Sequence, residues 1–305
     1  MQLLKHTVFA VSLMMGSHIS QAQTVSQAMR DLQTLAGEEM QGREIGSEGS
    51  ARARTYILQR LKEIGLKPCG EKFEQEFEHK ARTGIVIGRN ILACQSGSKG
   101  TNIGAIVISA HYDHLGSNRR GVYFGADDNA SGVAGVLALA EHYANRVPQH
   151  TLVYAFFDGE EQGLVGAKAF LKHGPVSAKS IAFNINFDMI GRGDKNELYV
   201  SGTHYRPELK TLLSPIADTS NIKVLFGHDR PDQGVDNWTP QSDHFPFFNA
   251  GIPHLYFGVE DHADYHQPTD TSDKIKADFF DKTIAILKQT VQIIDGQWTT
   301  PLDQK

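Results

Sequence analysis

The sequence predicts an α/β chain folded as a single three-layer α/β/α domain around a mixed, mostly parallel central sheet. Three observations carry that expectation. Compact apolar runs recur as GAIVISA (104–110), TLVYAFF (151–157) and IAFNINF (181–187). Segments of helical character separate them, and apolar strands alternating with helices imply parallel pairing with both sheet faces covered. No low-complexity linker divides the chain, so residues 23–305 read as one domain, with 23–100 forming its N-terminal helices and hairpin.

Taken in order, residues 25–64 are mainly helical, interrupted by the glycine-rich stretch 42–49; Leu58, Leu61 and Ile64 keep helical spacing until Gly65 ends the segment. Residues 73–77 and 85–94 read as two strands of a hairpin turning near 80–84. A turn centred between Ala81 and Arg82 sets Cys69 opposite Cys94, the only cysteines, and a disulfide between them is expected. Strand 104–110, helix 131–143, strand 151–157, helix 163–173 and strand 181–187 follow. Beyond them come strand 197–200, a helix near 208–217, strands 222–226 and 252–257, and a long final helix over about 274–294.

The chain opens with one basic residue, Lys5, an apolar run over 7–16 and the small residues Ser20-Gln21-Ala22. That pattern predicts a signal peptide, residues 1–22, removed on export to the periplasm or beyond. No later apolar stretch is long enough to span a bilayer, so no membrane association is expected after cleavage. The formal net charge is −5 and no basic cluster occurs, which argues against nucleic acid as a partner. A monomer is favoured, though the sequence leaves the oligomeric state open.

Acids and histidines collect where strands end. His111 follows the first apolar strand, Glu160-Glu161 the second, and Asp188 the third. Ligands bind at the carboxyl ends of strands in such sheets, so these side chains should converge on one edge. His111 and Asp113, two apart, face the same way if extended, and a carboxylate can fix one imidazole nitrogen while the other binds metal. Asp127-Asp128 precedes a helix; one of the two suits a bridge between two cations, although a helix cap explains a lone aspartate as well. Glu160-Glu161 offers one ligand and one free base. Asp188 ends an apolar segment, where a carboxylate needs a metal or an ion pair. His254, His262 and His266 crowd the last loop, His244 is a rival ligand or the start of a helix capped by Ser242, and Tyr265 offers a hydroxyl donor for an oxyanion.

Six segments taken together, SAHYDHLG (109–116), GADDNASG (125–132), DGEEQGLVGA (158–167), NFDMIGR (186–192), SDHFPF (242–247) and YHQPTDT (265–271), resemble the di-zinc aminopeptidases, the secreted bacterial leucyl aminopeptidase type of metallopeptidase family twenty-eight. The resemblance runs from about Gly42 to the final helix and implies the zinc-dependent exopeptidase fold. It implies two Zn²⁺ ions: one held by His111 and Asp188, one by Glu161 and His266, with Asp128 bridging. Glu160 matches the general base, Asp113 the partner of the histidine and Tyr265 the oxyanion donor, and a cis peptide is expected between Asp128 and Asn129. The implied substrates are peptides with a free N-terminus. A glutaminyl-cyclase-like transferase, a zinc carboxypeptidase or deacylase, and a non-enzymatic binding relative are the competing readings. The 78 positions from Asp188 to His266 hold core elements and leave no room for the carboxypeptidase lid. Gly42-Arg43 has no assigned role, and Arg230, Asp232, Asp236 and Trp238 lie in a loop that either contacts substrate or is merely solvated.

Overall fold

Residues 25–82 and 84–298 are described in a computed structural model; the expected signal peptide lies outside them. Helix α1 (Gln27–Leu35) starts at Ser26, whose hydroxyl accepts from the Met29 N–H, and α2 (Glu48–Ile64) starts at Ser47 in the same way. Gly65, left-handed at φ 86, closes α2. Strands β1 (Lys67–Pro68), β2 (Glu74–Ala81) and β3 (Gly84–Gln95) then build one side of the sheet.

The alternation follows as β4 (Ala105–His111), a small hairpin of β5 (Ser117–Asn118) and β6 (Gly121–Val122), α3 (Gly132–Tyr143), β7 (Thr151–Phe157), α4 (Val165–His173) and β8 (Ile181–Phe187). The last part comprises β9 (Glu197–Ser201), α5 (Pro207–Thr219), β10 (Lys223–Phe226), α6 (His244–Asn249), β11 (His254–Gly258) and α7 (Ala277–Gln297). The main sheet runs β1-β3-β7-β4-β8-β11-β9-β10, with β2 also on β3. Its centre, β7-β4-β8-β11, is parallel, while β3 joins β7 and β9 joins β11 antiparallel. The sheet is therefore mixed, as expected.

Strand alternation divides the core. Ile106, Ile108, Leu152, Tyr154 and Phe156 pack under α1, α2, α3, α5 and α7; Val107, Val153, Ala155 and Phe157 pack under α4 and α6. Strands buried on both faces are mostly apolar, which is why these runs were so legible; the polar exceptions, Ser109, Asn184 and Asn186, hydrogen-bond to one another.

Cys69 and Cys94 are bonded, with Cα atoms 4.8 Å apart. The register that suggested the pair differs, however. Ala81 stands opposite Gly84, so the hairpin turns one residue later than expected and its register alone would carry Cys69 past Cys94. The pair meets because β1 rejoins β3 in a register of its own, Lys67 opposite Cys94. A thiol assay on denatured, unreduced protein is expected to find no free cysteine. Reduction should cost about 2–4 kcal/mol of stability, the usual effect of opening such a loop, measured by urea unfolding with and without reductant.

Candidate metal centre

The parallel strands deliver the predicted side chains to one edge. His111 is the last residue of β4, Glu160 and Glu161 sit in the turn after β7, Asp188 follows β8, and His266 lies in the loop after β11. Asp128 occupies an irregular turn over 126–131 that leads into α3, and the Asp128–Asn129 peptide is cis, as expected. Asn129 anchors this turn: its amide donates to the Phe187 carbonyl and its oxygen accepts from Gly132 N–H.

Two groups of donors share Asp128. Its Oδ1 lies 3.3 Å from His111 Nε2, which is also 3.3 Å from Asp188 Oδ1. Its Oδ2 lies 3.1 Å from His266 Nε2, itself 3.4 Å from Glu161 Oε2. The two oxygens of one carboxylate therefore face two separate ligand sets. Within each of two sets, the buried His111-Asp128-Asp188 and the set His114-Asp128-Glu161, in which Glu161 is partly exposed, the donor atoms lie within 4.8 Å of one another. Imidazole and carboxylate donors at this spacing suit zinc.

The electrostatics fit that purpose. Burial pushes the Asp188 carboxyl above its usual range. Burial and the neighbouring Asp188, Asp243 and Glu161 push Glu160 well above its own, against the pull of His111. Burial also works against an ionised Asp128, but His114, His111 and His266 outweigh it and hold that carboxyl well below the usual value. His266 moves up to about 10 because Asp128 and Glu161 overcome its burial. Anionic oxygens are thus packed so closely that cations must neutralise them, as protons on the histidines or as metal. Burial, together with Asp128, Asp188 and Glu161, raises Tyr265, so its phenol stays protonated and able to donate.

Asp113 does more than orient His111. The His111 Nδ1 is 3.1 Å from the Asp113 carbonyl oxygen and 3.6 Å from its carboxylate. That carboxylate accepts the N–H groups of Glu160 (3.1 Å) and Glu161 (3.3 Å), fixing the turn that presents both glutamates.

Three supports were not read from the sequence. His114, buried three residues after His111, has Nδ1 2.8 Å from Glu161 Oε1. Ser242 donates to Asp188 Oδ2 (2.6 Å) and accepts from Asn186, so it holds Asp188 instead of capping α6; Asp243 occupies the cap position. Asp270 accepts the N–H groups of both Asp127 and Asp128, joining the Asp128 turn to the His266 loop. His114 and Asp270 lie inside the segments His-Tyr-Asp-His and Tyr-His-Gln-Pro-Thr-Asp that already stood out, a signal that could have found them, but nothing local shows which loops will touch.

The rival histidines lie elsewhere. His262 Nε2 pairs with Asp127 Oδ2 at 3.2 Å, and His244 stacks on His254, ring centroids 5.1 Å apart. Of the uncertain loop, Trp238 lines the cleft with Gln241, Tyr256 and Asp261, whereas Arg230, Asp232 and Asp236 are exposed outside it. A cavity of about 620 Å³ is at the opposite end of the sheet beside the disulfide; Lys67 is its one charged lining residue and it offers no ligand set.

The profile of peptidase family M28 matches residues 90–291, which contain every donor named above. The chain belongs to peptidase family M28. The imidazole and carboxylate donors of this M28 protein are of the kind zinc favours. The protein is 32% identical over 160 residues to a vacuolar membrane protease of Candida albicans (strain WO-1), a match covering 52% of this chain but 18% of that protein. The chain thus corresponds to less than a fifth of the length of that relative. Its fold is shared with a glutaminyl cyclase of Porphyromonas gingivalis, 19% identical with a TM-score of 0.69 over 88% of this chain and 98% of the other. It is shared equally with a zinc aminopeptidase of Bacillus subtilis, 15% identical with a TM-score of 0.69 over 87% and 93%. Among the described residues no helix is long and apolar enough to cross a membrane.

Proposed function

We propose that this M28 protein is an exported aminopeptidase that removes the N-terminal residue of peptides with the aid of two zinc ions. The observation that carries the reading is Asp128, whose Oδ1 faces His111 and Asp188 while its Oδ2 faces His266 and Glu161. His111, Asp188 and Asp128 would hold one ion, and Glu161, His266 and Asp128 the other. Bound there, the pair lowers the pKa of a water and polarises a carbonyl.

The rest falls to the chain itself. Glu160 lines the cleft but reaches neither ligand set, so it is the carboxylate left to take the proton from the attacking water and return it to the departing amine. Asp113 keeps it in place through its N–H. Tyr265, protonated and on the cleft wall, donates to the developing oxyanion. Asp261 at the exposed rim adds a negative charge suited to the substrate's α-ammonium group. The leader over 1–22 supports export.

His114 donates Nδ1–H to Glu161 Oε1 and so leaves Oε2 for the ion. Replacing His114 by Leu is expected to weaken one of the two zinc ions about 10–100-fold, the usual effect of losing a partner behind a ligand. His114→Asn, whose amide can donate from a similar place, should recover most of the loss in a chelator competition.

The test of the whole reading is a panel of aminoacyl chromogenic substrates and their N-blocked counterparts, before and after chelation. Free-amine substrates should be cleaved, blocked ones spared, and chelation should stop turnover. Equal cleavage of blocked substrates would remove the aminopeptidase assignment. Because the cyclase fold is equally close, a peptide with N-terminal glutamine belongs in the panel; pyroglutamate formation as the main reaction would replace hydrolysis by cyclisation.

A further inference from the structure

Gly42 and Arg43 lie outside residues 90–291, the portion the family profile matches. Gly42 adopts φ 73, and a Cβ there would come 2.1 Å from the Gly116 carbonyl oxygen and 2.6 Å from that of Tyr123. Only glycine fits so close a backbone contact. The contact delivers Arg43, left-handed itself at φ 53, to an interior position where it is 1% exposed.

The guanidinium there donates to four backbone carbonyls. Nε reaches Tyr112 (2.8 Å), Nη1 reaches Leu35 and Phe124 (2.6 Å each), and Nη2 reaches Gly125 (2.9 Å). Among the described residues it has no carboxylate in ion-pair contact, although Asp128, Asp270, Asp113 and Glu161 act on it through space. A buried cation without an ion pair is costly, and here the four carbonyls are what offsets that cost. Their positions are informative. Tyr112 sits between His111 and Asp113, while Phe124 and Gly125 lead directly into the turn of Asp127 and Asp128. One planar fork thus spans the two segments whose ligands must meet.

We propose that Arg43 is a positioning residue of the metal centre, setting the distance between the end of β4 and the Asp128 turn, so that the N-terminal segment is a working part of the site. The proposal rests on the two-metal reading above. Charge and clamp predict opposite signs for zinc affinity. The guanidinium repels a divalent cation, so losing its charge alone would tighten zinc; losing the clamp lets His111 and Asp128 drift and loosens it.

The experiment compares wild type with Arg43→Gln and Arg43→Lys by zinc competition against a chromogenic chelator, well below each protein's melting transition. Neither side chain can reach all four carbonyls. Both variants should bind zinc about 10–100-fold more weakly, and excess zinc should bring KM back to the wild-type value, since Arg43 is not part of the cleft lining. Leu61→Ala, a buried change in α2, is the control for general destabilisation: it should lower the melting temperature and leave zinc affinity unchanged. Zinc affinity equal to or tighter than wild type in the folded variants overturns the proposal, and the Lys variant alone decides if the Gln variant does not fold. Two zinc ions on wild type with unaffected variants would sink the Arg43 role only; no zinc on wild type would sink the two-metal reading and this proposal together.

Discussion

Glu160→Gln is expected to lower kcat by about 10³–10⁴-fold, near the upper end of what a positioned base contributes, while both zinc ions stay bound. The amide has the shape of the carboxyl and keeps the same backbone N–H to Asp113, so the turn that also carries Glu161 should not move. What it loses is the ability to accept a proton. The change corresponds to roughly 4–5.5 kcal/mol of barrier, with KM little affected because the side chain is not needed to hold the ground state. Steady-state kinetics paired with elemental analysis of the same samples checks both halves. Undiminished hydrolysis would refute Glu160 as the base, and lost activity with lost zinc would make it a ligand instead.

Asp128→Ala should be the most damaging single change, because it removes an oxygen from each ligand set at once. Bound zinc is expected to fall below one ion per chain and turnover to the level of the chelated protein. Asp188→Ala provides the contrast. The Asp188 carboxylate faces His111 and Ser242 and makes no contact with the His266 side, so its loss should release one ion and spare the other. Retention of two ions by the Asp128 variant would contradict a bridging role. Stability should move less simply: removing Asp128 takes a partner from His111, His114 and His266 but also relieves repulsion on Asp188 and Glu161.

The parts of this protein that were legible in its sequence share a physical reason. Strands β4, β7 and β8 are covered on both faces, so they are mostly apolar, with the buried Ser109, Asn184 and Asn186 bonded to one another, and their ends mark where charged residues begin. His111, Glu160, Glu161 and Asp188 stood out because each follows such a run directly. The choice of Asp128 over Asp127, and of His266 over His262, came from motif resemblance. In the fold Asp127 and His262 pair with each other, and Asp127 also accepts the Gly191 N–H. Parts that depend on distant loops meeting were not legible. Ser242 reaches Asp188 across 54 positions and Asp270 reaches Asp127 across 143, and no local pattern encodes either contact. The disulfide is a mixed case, a correct pair deduced from a hairpin register that is off by two residues; the pair still meets because β1 joins β3 in a register of its own.

Counting zinc on the intact protein tests the central claim most directly. Metal-free protein is dialysed against buffered zinc, and the bound metal is measured by elemental analysis as a function of free zinc. Two ions per chain, with hydrolysis of a free-amine substrate rising as the sites fill, is the predicted result; a plateau at one ion would contradict the shared role of Asp128 and the two-metal chemistry built on it.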